Sequence, residues 1–156
     1  MFSFVRKRRL RFQDAEITLS LAQDRVRDHE IGATDGYVFD IIAAKDGGRA
    51  GYVSVRIGES PELYYLGHIG YRVEPEWRGH GYAFKAVRLL IPFLEDLGLC
   101  TVVITTNADN LPSRKTCEHL CCTLENIVQV PDRYREVCGG ATEKCRYILF
   151  TGERDT

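Results

Sequence analysis

No stretch of this sequence approaches the run of about 20 apolar residues that a membrane span requires, so no membrane partner is expected. Charge of one sign is not in excess either. Lysine and arginine number 21 against 22 Asp and Glu, for a formal net charge of −1, and nothing at whole-chain level calls for nucleic acid or an anionic membrane. The N-terminal MFSFVRKRRLRF is basic but has no apolar segment after it, so we expect no secretory signal. Its cluster Arg6, Lys7, Arg8, Arg9, Arg11 reads as a solvated terminal segment, with a phosphate- or RNA-binding arm as the alternative. Repeats, low-complexity tracts and Pro/Ser-rich linkers are lacking, and the 156 residues are expected to form one domain, 1–156. No CxxC pair occurs among the six cysteines, and few histidines lie near them. We therefore expect no metal site, no disulfide framework, and reduced thiols in a cytoplasmic protein.

What is present divides into two halves. Glu16–Leu21 alternates as a half-buried strand should, and a short polar, helical stretch is expected from about Gln23 to Glu30. Tyr37–Ala44 is rich in β-formers. Lys45-Asp46-Gly47-Gly48 signals a hairpin turn, with Gly51–Ile57 as the return strand. A turn over Gly58–Pro61 precedes a further strand over Leu63–Val73. The second half changes period. Tyr82–Leu97 places Ala83, Ala86, Val87, Leu90 and Leu94 at helical spacing, with Pro92 as a point of strain and Gly98 closing the helix. Thr101–Thr106 reads as a buried strand and Asn110–Cys121 as a helix with Pro112 in its first turn. Thr123–Val130 and Cys145–Phe150 read as strands, with a charged loop or hairpin arm between them. This order points to a mixed sheet carrying packed helices.

The informative segment is Arg78-Gly79-His80-Gly81-Tyr82-Ala83, directly after a strand and opening a helix. Glycines there let backbone approach a ligand. The first helical turn offers free N–H groups and the positive end of the macrodipole, which suits a pyrophosphate. A P-loop would need a Gly-Lys-Ser/Thr ending, which is absent. A dinucleotide fold would need the loop after the first strand of a βαβ unit, whereas here a β-meander precedes it.

The pattern R-x-x-G-x-A in Arg78–Ala83 resembles the CoA-pyrophosphate loop of the GNAT N-acetyltransferase superfamily, Q/R-x-x-G-x-G/A. His68–Gly79 (HIGYRVEPEWRG) resembles that family's central strand and following turn, and Asn110-Leu-Pro-Ser113 its next helix start. The resemblance spans roughly Leu63 to Thr123. It implies an α/β (α+β) fold: a mixed, mostly antiparallel sheet of about six to seven strands, flanking helices, and a splayed central strand pair. It implies acetyl-CoA as co-substrate, held by backbone N–H groups of Gly79, His80, Gly81, Tyr82 and Ala83 with Arg78 beside them. Tyr71 and Val73 would pair with the pantetheine arm and polarise the thioester carbonyl, and Asn110 would contact the cofactor arm.

One departure bears on the chemistry. Many family members carry a Tyr seven residues after the Asn, acting as general acid; here Cys117 stands there, either an acid or a small core residue. The Gly-aromatic pair that usually follows is replaced by Cys121-Cys122. For the base, Glu74 lies just past the central strand and His68 within it, each with a bland alternative as a turn residue and a satisfied structural histidine. Tyr64 and Tyr65 read as pocket or strand residues. Lys85 and Arg88 read as contacts of the CoA 3′-phosphate or as a solvated face, and Trp77 as a packing residue.

The function expected is transfer of an acetyl group from acetyl-CoA to a primary amine by direct attack in a ternary complex. The acceptor is a small-molecule amine or, second, a protein amine. The rival is a non-catalytic CoA or acyl-CoA sensor or partner subunit; an RNA-associated protein is third. The acceptor pocket is expected from Gln23–Asp35 and Pro131–Lys144, with a homodimer as one way of closing it.

Overall fold

A computed structural model describes residues 10–152, so Arg6, Lys7, Arg8 and Arg9 of the basic cluster lie outside the described residues. The elements are β1 (Arg11–Gln13), β2 (Ile17–Asp24), β3 (Asp35–Ala43), β4 (Arg49–Ile57), α1 (Pro61–Leu66), β5 (Ile69–Val73), α2 (Tyr82–Asp96), β6 (Thr101–Asn107), α3 (Leu111–His119), β7 (Thr123–Gln129), α4 (Asp132–Arg135) and β8 (Glu143–Phe150). All eight strands join one sheet in the order β1-β2-β3-β4-β5-β6-β8-β7. Every pairing is antiparallel except β5 with β6.

This is the mixed, mostly antiparallel architecture expected, with one strand more than the six to seven foreseen. The extra strand is β1, in which Arg11, Phe12 and Gln13 pair with Ser20, Leu19 and Thr18. Its sequence is basic, but Phe12 packs edge-on to Phe39 at 5.8 Å, which supplies the apolar contact that holds it.

Two local expectations are corrected. No helix forms over 23–30. Instead β2 runs on to Asp24 past an irregularity between Leu21 and Gln23. The chain then turns back through two hydrogen bonds exchanged between Asp28 and Ala33 at 2.9 Å. The Asp28 carboxylate accepts from the Glu30 N–H at 3.0 Å, the kind of local bond that draws Asp into turns. Nor is Leu63–Leu66 strand. Ser60 caps α1 by accepting from the Leu63 N–H at 2.9 Å, and Pro61 fills the first helical position. A Ser-Pro-Glu start outweighs the β-preference of Tyr64 and Tyr65.

The core lies on one face of the sheet. Helix α2 packs against β1, β2, β4 and β5 and buries Tyr82, Ala86, Val87, Leu90, Phe93 and Leu94; Ala83, expected there, is half-buried. These meet Ile17, Leu19, Phe39, Ile41, Val53, Val55 and Ile69, each fully buried aliphatic contributing about 1.5–3 kcal/mol. The helix runs through Pro92, on the side of solvent-exposed Arg88, whose carbonyl loses its donor. Helix α3 packs beside α2 on β6.

Period-2 alternation assigns Ser54, Arg56, Thr105, Lys144 and Arg146 to the opposite face. There α1 sits over β6 and β8. The Thr105 hydroxyl donates to the Tyr65 carbonyl at 2.8 Å, and Arg146 donates to the Tyr64 carbonyl with its guanidinium under the Tyr64 ring.

Candidate active site

The sheet is interrupted at its centre. Strands β5 and β6 share one register pair, Ile69 with Ile104, and then part. His68 closes the narrow end. Its backbone N–H donates to the Val103 carbonyl at 2.7 Å, and its Nδ1 accepts from the Val103 N–H at 3.0 Å. The imidazole thus stands in for a ladder carbonyl, and Nε2 faces Glu59 at 3.5 Å. On β5's other side the Glu74 N–H donates to the Ala50 carbonyl at 2.8 Å. By alternation the backbone groups of Tyr71 and Val73 turn toward the gap. Across from them the Thr106 hydroxyl is buried with no hydrogen-bond partner among the described residues. That hydroxyl lies on the core face with Val102 and Ile104 and is closed to the gap. The backbone groups of Tyr71 and Val73 are what the gap offers to an amide-bearing chain such as pantetheine.

At the open end, one turn of 3₁₀ helix (Pro75–Trp77) leads from β5 into the glycine loop and α2. Gly79 and Gly81 have φ of 89° and 70°, left-handed values that side chains disfavour. A Cβ at either position would meet open space, so backbone conformation rather than crowding selects glycine. The N–H groups of Gly79, His80 and Gly81 have no partner among the described residues, and Gly81 provides no side-chain cap to α2. With the first-turn N–H groups of Tyr82 and Ala83 they form an open anion cradle. Arg78 is tied to the strand end, its Nε donating to the Val73 carbonyl at 3.0 Å. His80 stacks on Tyr82 at 5.3 Å. Lys85 and Arg88 point instead to Glu16 at 3.2 Å and Asp14 at 4.0 Å, and Trp77 packs over Gly48.

Helix α3 closes the core side of the gap. Asn110 caps it, its side-chain oxygen accepting from the Ser113 N–H at 3.2 Å. The Tyr71 hydroxyl reaches across from β5 to the Ser113 hydroxyl at 2.7 Å. Burial pushes the Tyr71 phenol well above its ordinary range, and the Cys117 thiol beside it adds to this, so Tyr71 remains a donor. Cys117 is fully buried. Its neighbour Cys122 and burial together push its thiol up, which keeps it protonated and in the core. The two cysteines meet because the helix ends in a Schellman turn. Cys121 takes φ 59°, Cys121 N–H donates to the Glu118 carbonyl, and Cys122 N–H to the Cys117 carbonyl, both at 3.0 Å.

On the opposite face, Glu74 sits between Arg72 at 3.6 Å and Arg49 at 4.0 Å. Tyr64, Tyr65, Ser60, Pro61, Pro131, Arg133 and Tyr134 line a cavity of about 410 Å³. A smaller one of about 140 Å³ lies between segment 26–36 and Val38, Ser54 and Arg56. Both segments expected to build a pocket are therefore on this face. Sequence reasoning gave no individual role to Ser113, Thr106, Arg56 or Lys144. Ser113 stood within the Asn110–Ser113 match, and Lys144 closed the expected acceptor segment Pro131–Lys144.

Among the described residues no group of His, Cys, Asp and Glu is placed to hold a metal ion, and no helix is long and apolar enough to cross a membrane. A family model described as Acetyltransferase (GNAT) domain matches residues 2–123. No curated protein matches the chain in sequence. Among solved structures, the ribosomal-protein-S5-alanine acetyltransferase from Vibrio fischeri superposes with a TM-score of 0.68 at 15% identity, over 94% of this chain and 100% of that one. The Microcin C7 self-immunity acetyltransferase, solved with acetyl-CoA and AMP, gives 0.58 at 24% identity over 74% and 61%. A ribosomal L7/L12 alpha-N-protein acetyltransferase gives 0.59 at 19% identity over 76% and 72%. The match thus spans about three fifths of the Microcin C7 protein, and at these identities the likeness shows the fold.

Proposed function

This chain belongs to the GNAT acetyltransferase family, and on that footing we propose that it transfers an acetyl group from acetyl-CoA to a primary amine by direct attack in a ternary complex. The observation that carries the proposal is the gap between β5 and β6, which opens onto the unpartnered N–H groups of the glycine loop. Acetyl-CoA supplies an activated acyl thioester. The N–H groups of Gly79, His80, Gly81, Tyr82 and Ala83 hold the pyrophosphate, and Arg78 adds fixed charge while steadying the strand end. Backbone groups of Tyr71 and Val73 bind the pantetheine arm and polarise the carbonyl. Asn110 orders the start of α3 beside that arm.

The reaction forms a C–N bond, breaks the C–S bond, and releases one proton from the amine. Of the base candidates, His68 has Nδ1 committed to Val103, which leaves it to hold the strand geometry. Glu74, half-exposed at the end of β5, takes the amine proton directly or through one water. The Tyr71–Ser113 hydroxyl pair donates to the departing sulfur, in place of the tyrosine that Cys117 replaces. Holding amine and thioester together supplies much of the acceleration.

The second reading is a non-catalytic CoA or acyl-CoA sensor, and burial of Cys117 favours it, since α3 then presents no acid of its own. Incubation with acetyl-CoA and a panel of amines, followed by chromatography of free CoA and acetylated product, separates the two. Product that depends on Glu74 supports the transferase. Tight binding of acetyl-CoA with no product from any amine supports the sensor.

A further inference from the structure

We propose that Arg56 and Lys144 form an anion site on the acceptor face, so that the amine acetylated by this protein is a small molecule bearing a carboxylate or a phosphate group. This rests on the transferase reading and names its substrate class.

The two side chains lie on the face away from α2 and α3, since each alternates with a core residue, Val55 and Cys145. They approach the strand gap from its two sides. Arg56 comes from β4 and lies over Gly70 of β5, where even a Cβ would come within 2.6 Å of Nη2. Lys144 comes from the start of β8, opposite Asn107 at the wide end of β6. Glycine at position 70 thus leaves the space that the guanidinium occupies.

Neither cation has a carboxylate within ion-pair distance among the described residues; Asp28 acts on Arg56 from farther off. Arg56 donates from Nη1 to the carbonyls of Leu66 and Gly67 at 3.2 Å each. Lys144 is half-buried, and its side chain has no hydrogen bond or ion pair among the described residues. Elsewhere the cations withdrawn from solvent are provided for: Lys85 with Glu16, Arg135 with Asp132, Arg146 with Glu125, and Arg114 with the Tyr147 hydroxyl. Burial lowers Lys144 from its ordinary value, the nearby Cys138 opposes this, and the charge of Arg56 adds to it; burial also lowers Arg56, against the weaker pull of Tyr52 and Asp28. Two like charges in a partly dry place disfavour each other and desolvate at a cost. A bound anion relieves both effects with charge-assisted hydrogen bonds.

Arg56 lines the smaller cavity, together with Ser54 and Asp28. The carbonyl that holds Arg56 belongs to Leu66, next in the chain to Tyr65. Tyr65 in turn lines the larger cavity and stacks on Tyr134 at 5.5 Å with an interplanar angle of 27°.

The test compares matched amines: propylamine, β-alanine and 2-aminoethylphosphonate, each with acetyl-CoA, for the wild type, Lys144→Met and Lys144→Arg. The expected result is a kcat/KM at least about tenfold higher for an anionic amine than for propylamine. That ratio collapses in Lys144→Met, mainly through KM, and survives in Lys144→Arg. The better of β-alanine and the phosphonate tells carboxylate from phosphate. Equal rates for charged and neutral amines, or a ratio unchanged in Lys144→Met, overturn the proposal while leaving the transferase intact. If no amine is acetylated the transferase reading fails, and the anion site is then read from binding of succinate and inorganic phosphate. Binding at least about tenfold weaker in Lys144→Met supports it, and equal binding in both proteins overturns it.

Discussion

The hydroxyl of Tyr71 on β5 and the hydroxyl of Ser113 on α3 lie 2.7 Å apart and bridge the strand gap on its core side. If this pair stabilises the leaving sulfur, its loss acts on the transition state more than on binding. Tyr71→Phe and Ser113→Ala should each lower kcat about tenfold or more, with acetyl-CoA affinity changed by less than about threefold. Single-turnover rates and calorimetric titration check both halves. Equal losses in affinity and rate would assign the pair to binding alone.

His68 holds the narrow end of the gap through Val103. His68→Ala leaves the Val103 N–H without its acceptor, which costs about 1–3 kcal/mol. Tm should fall by about 3–10 °C, and catalysis should weaken through loss of the strand geometry. Thermal unfolding of the variant checks this. An unchanged Tm with activity abolished would instead mark His68 as a group that handles a proton.

Cys121 sits at φ 59° in the Schellman turn, where glycine is favoured and other residues are strained by about 1–2 kcal/mol. Cys121→Gly should therefore stabilise the protein by about 1 kcal/mol, raising Tm by about 2–4 °C. Part of that gain is offset by the greater freedom of glycine in the unfolded chain. Differential scanning calorimetry is the check.

The alkaline limb of stability follows from Cys117 and Tyr71. Both are raised in the folded protein above their ordinary values of 9.0 and 10.0. In the unfolded chain they ionise near those values, while in the fold they stay protonated. Their stabilising contribution is thus complete below about pH 9 and is lost as the pH climbs beyond it. Tm should fall from about pH 9 upward, and in Cys117→Ala the fall should be shallower, with the buried Cys138 thiol, also raised by burial, and Tyr71 left to carry it. A fall as steep in the variant as in the wild type would remove Cys117 from this account.

The parts of this fold legible in the sequence are those encoded by neighbouring residues. Gly79 and Gly81 announce a left-handed loop because few other residues adopt it, and the spacing from Ala86 to Leu94 announces the buried stripe of α2. Where local signals compete, the sequence misleads. Tyr64 and Tyr65 suggest strand, yet Ser60 and Pro61 start a helix through them. The stretch 23–30 is polar enough for a helix, but pairing of β2 with β3 continues into it. The acceptor face was the least legible. Arg56 and Lys144 are 88 positions apart, and only the placement of β8 beside β6 brings them to one gap.

The central claim is that the loop at the head of α2 holds the pyrophosphate of acetyl-CoA. Its most direct test is calorimetric titration of acetyl-CoA into the wild type, Gly81→Asn and Gly81→Asp. Asn and Asp both tolerate left-handed φ better than other side chains, so the two variants differ chiefly in one negative charge among the cradle's N–H groups. The account predicts saturable binding to the wild type, largely retained in Gly81→Asn and weakened at least about tenfold further in Gly81→Asp. Equal binding by the Asn and Asp variants, or none by a well-folded wild type, would contradict it.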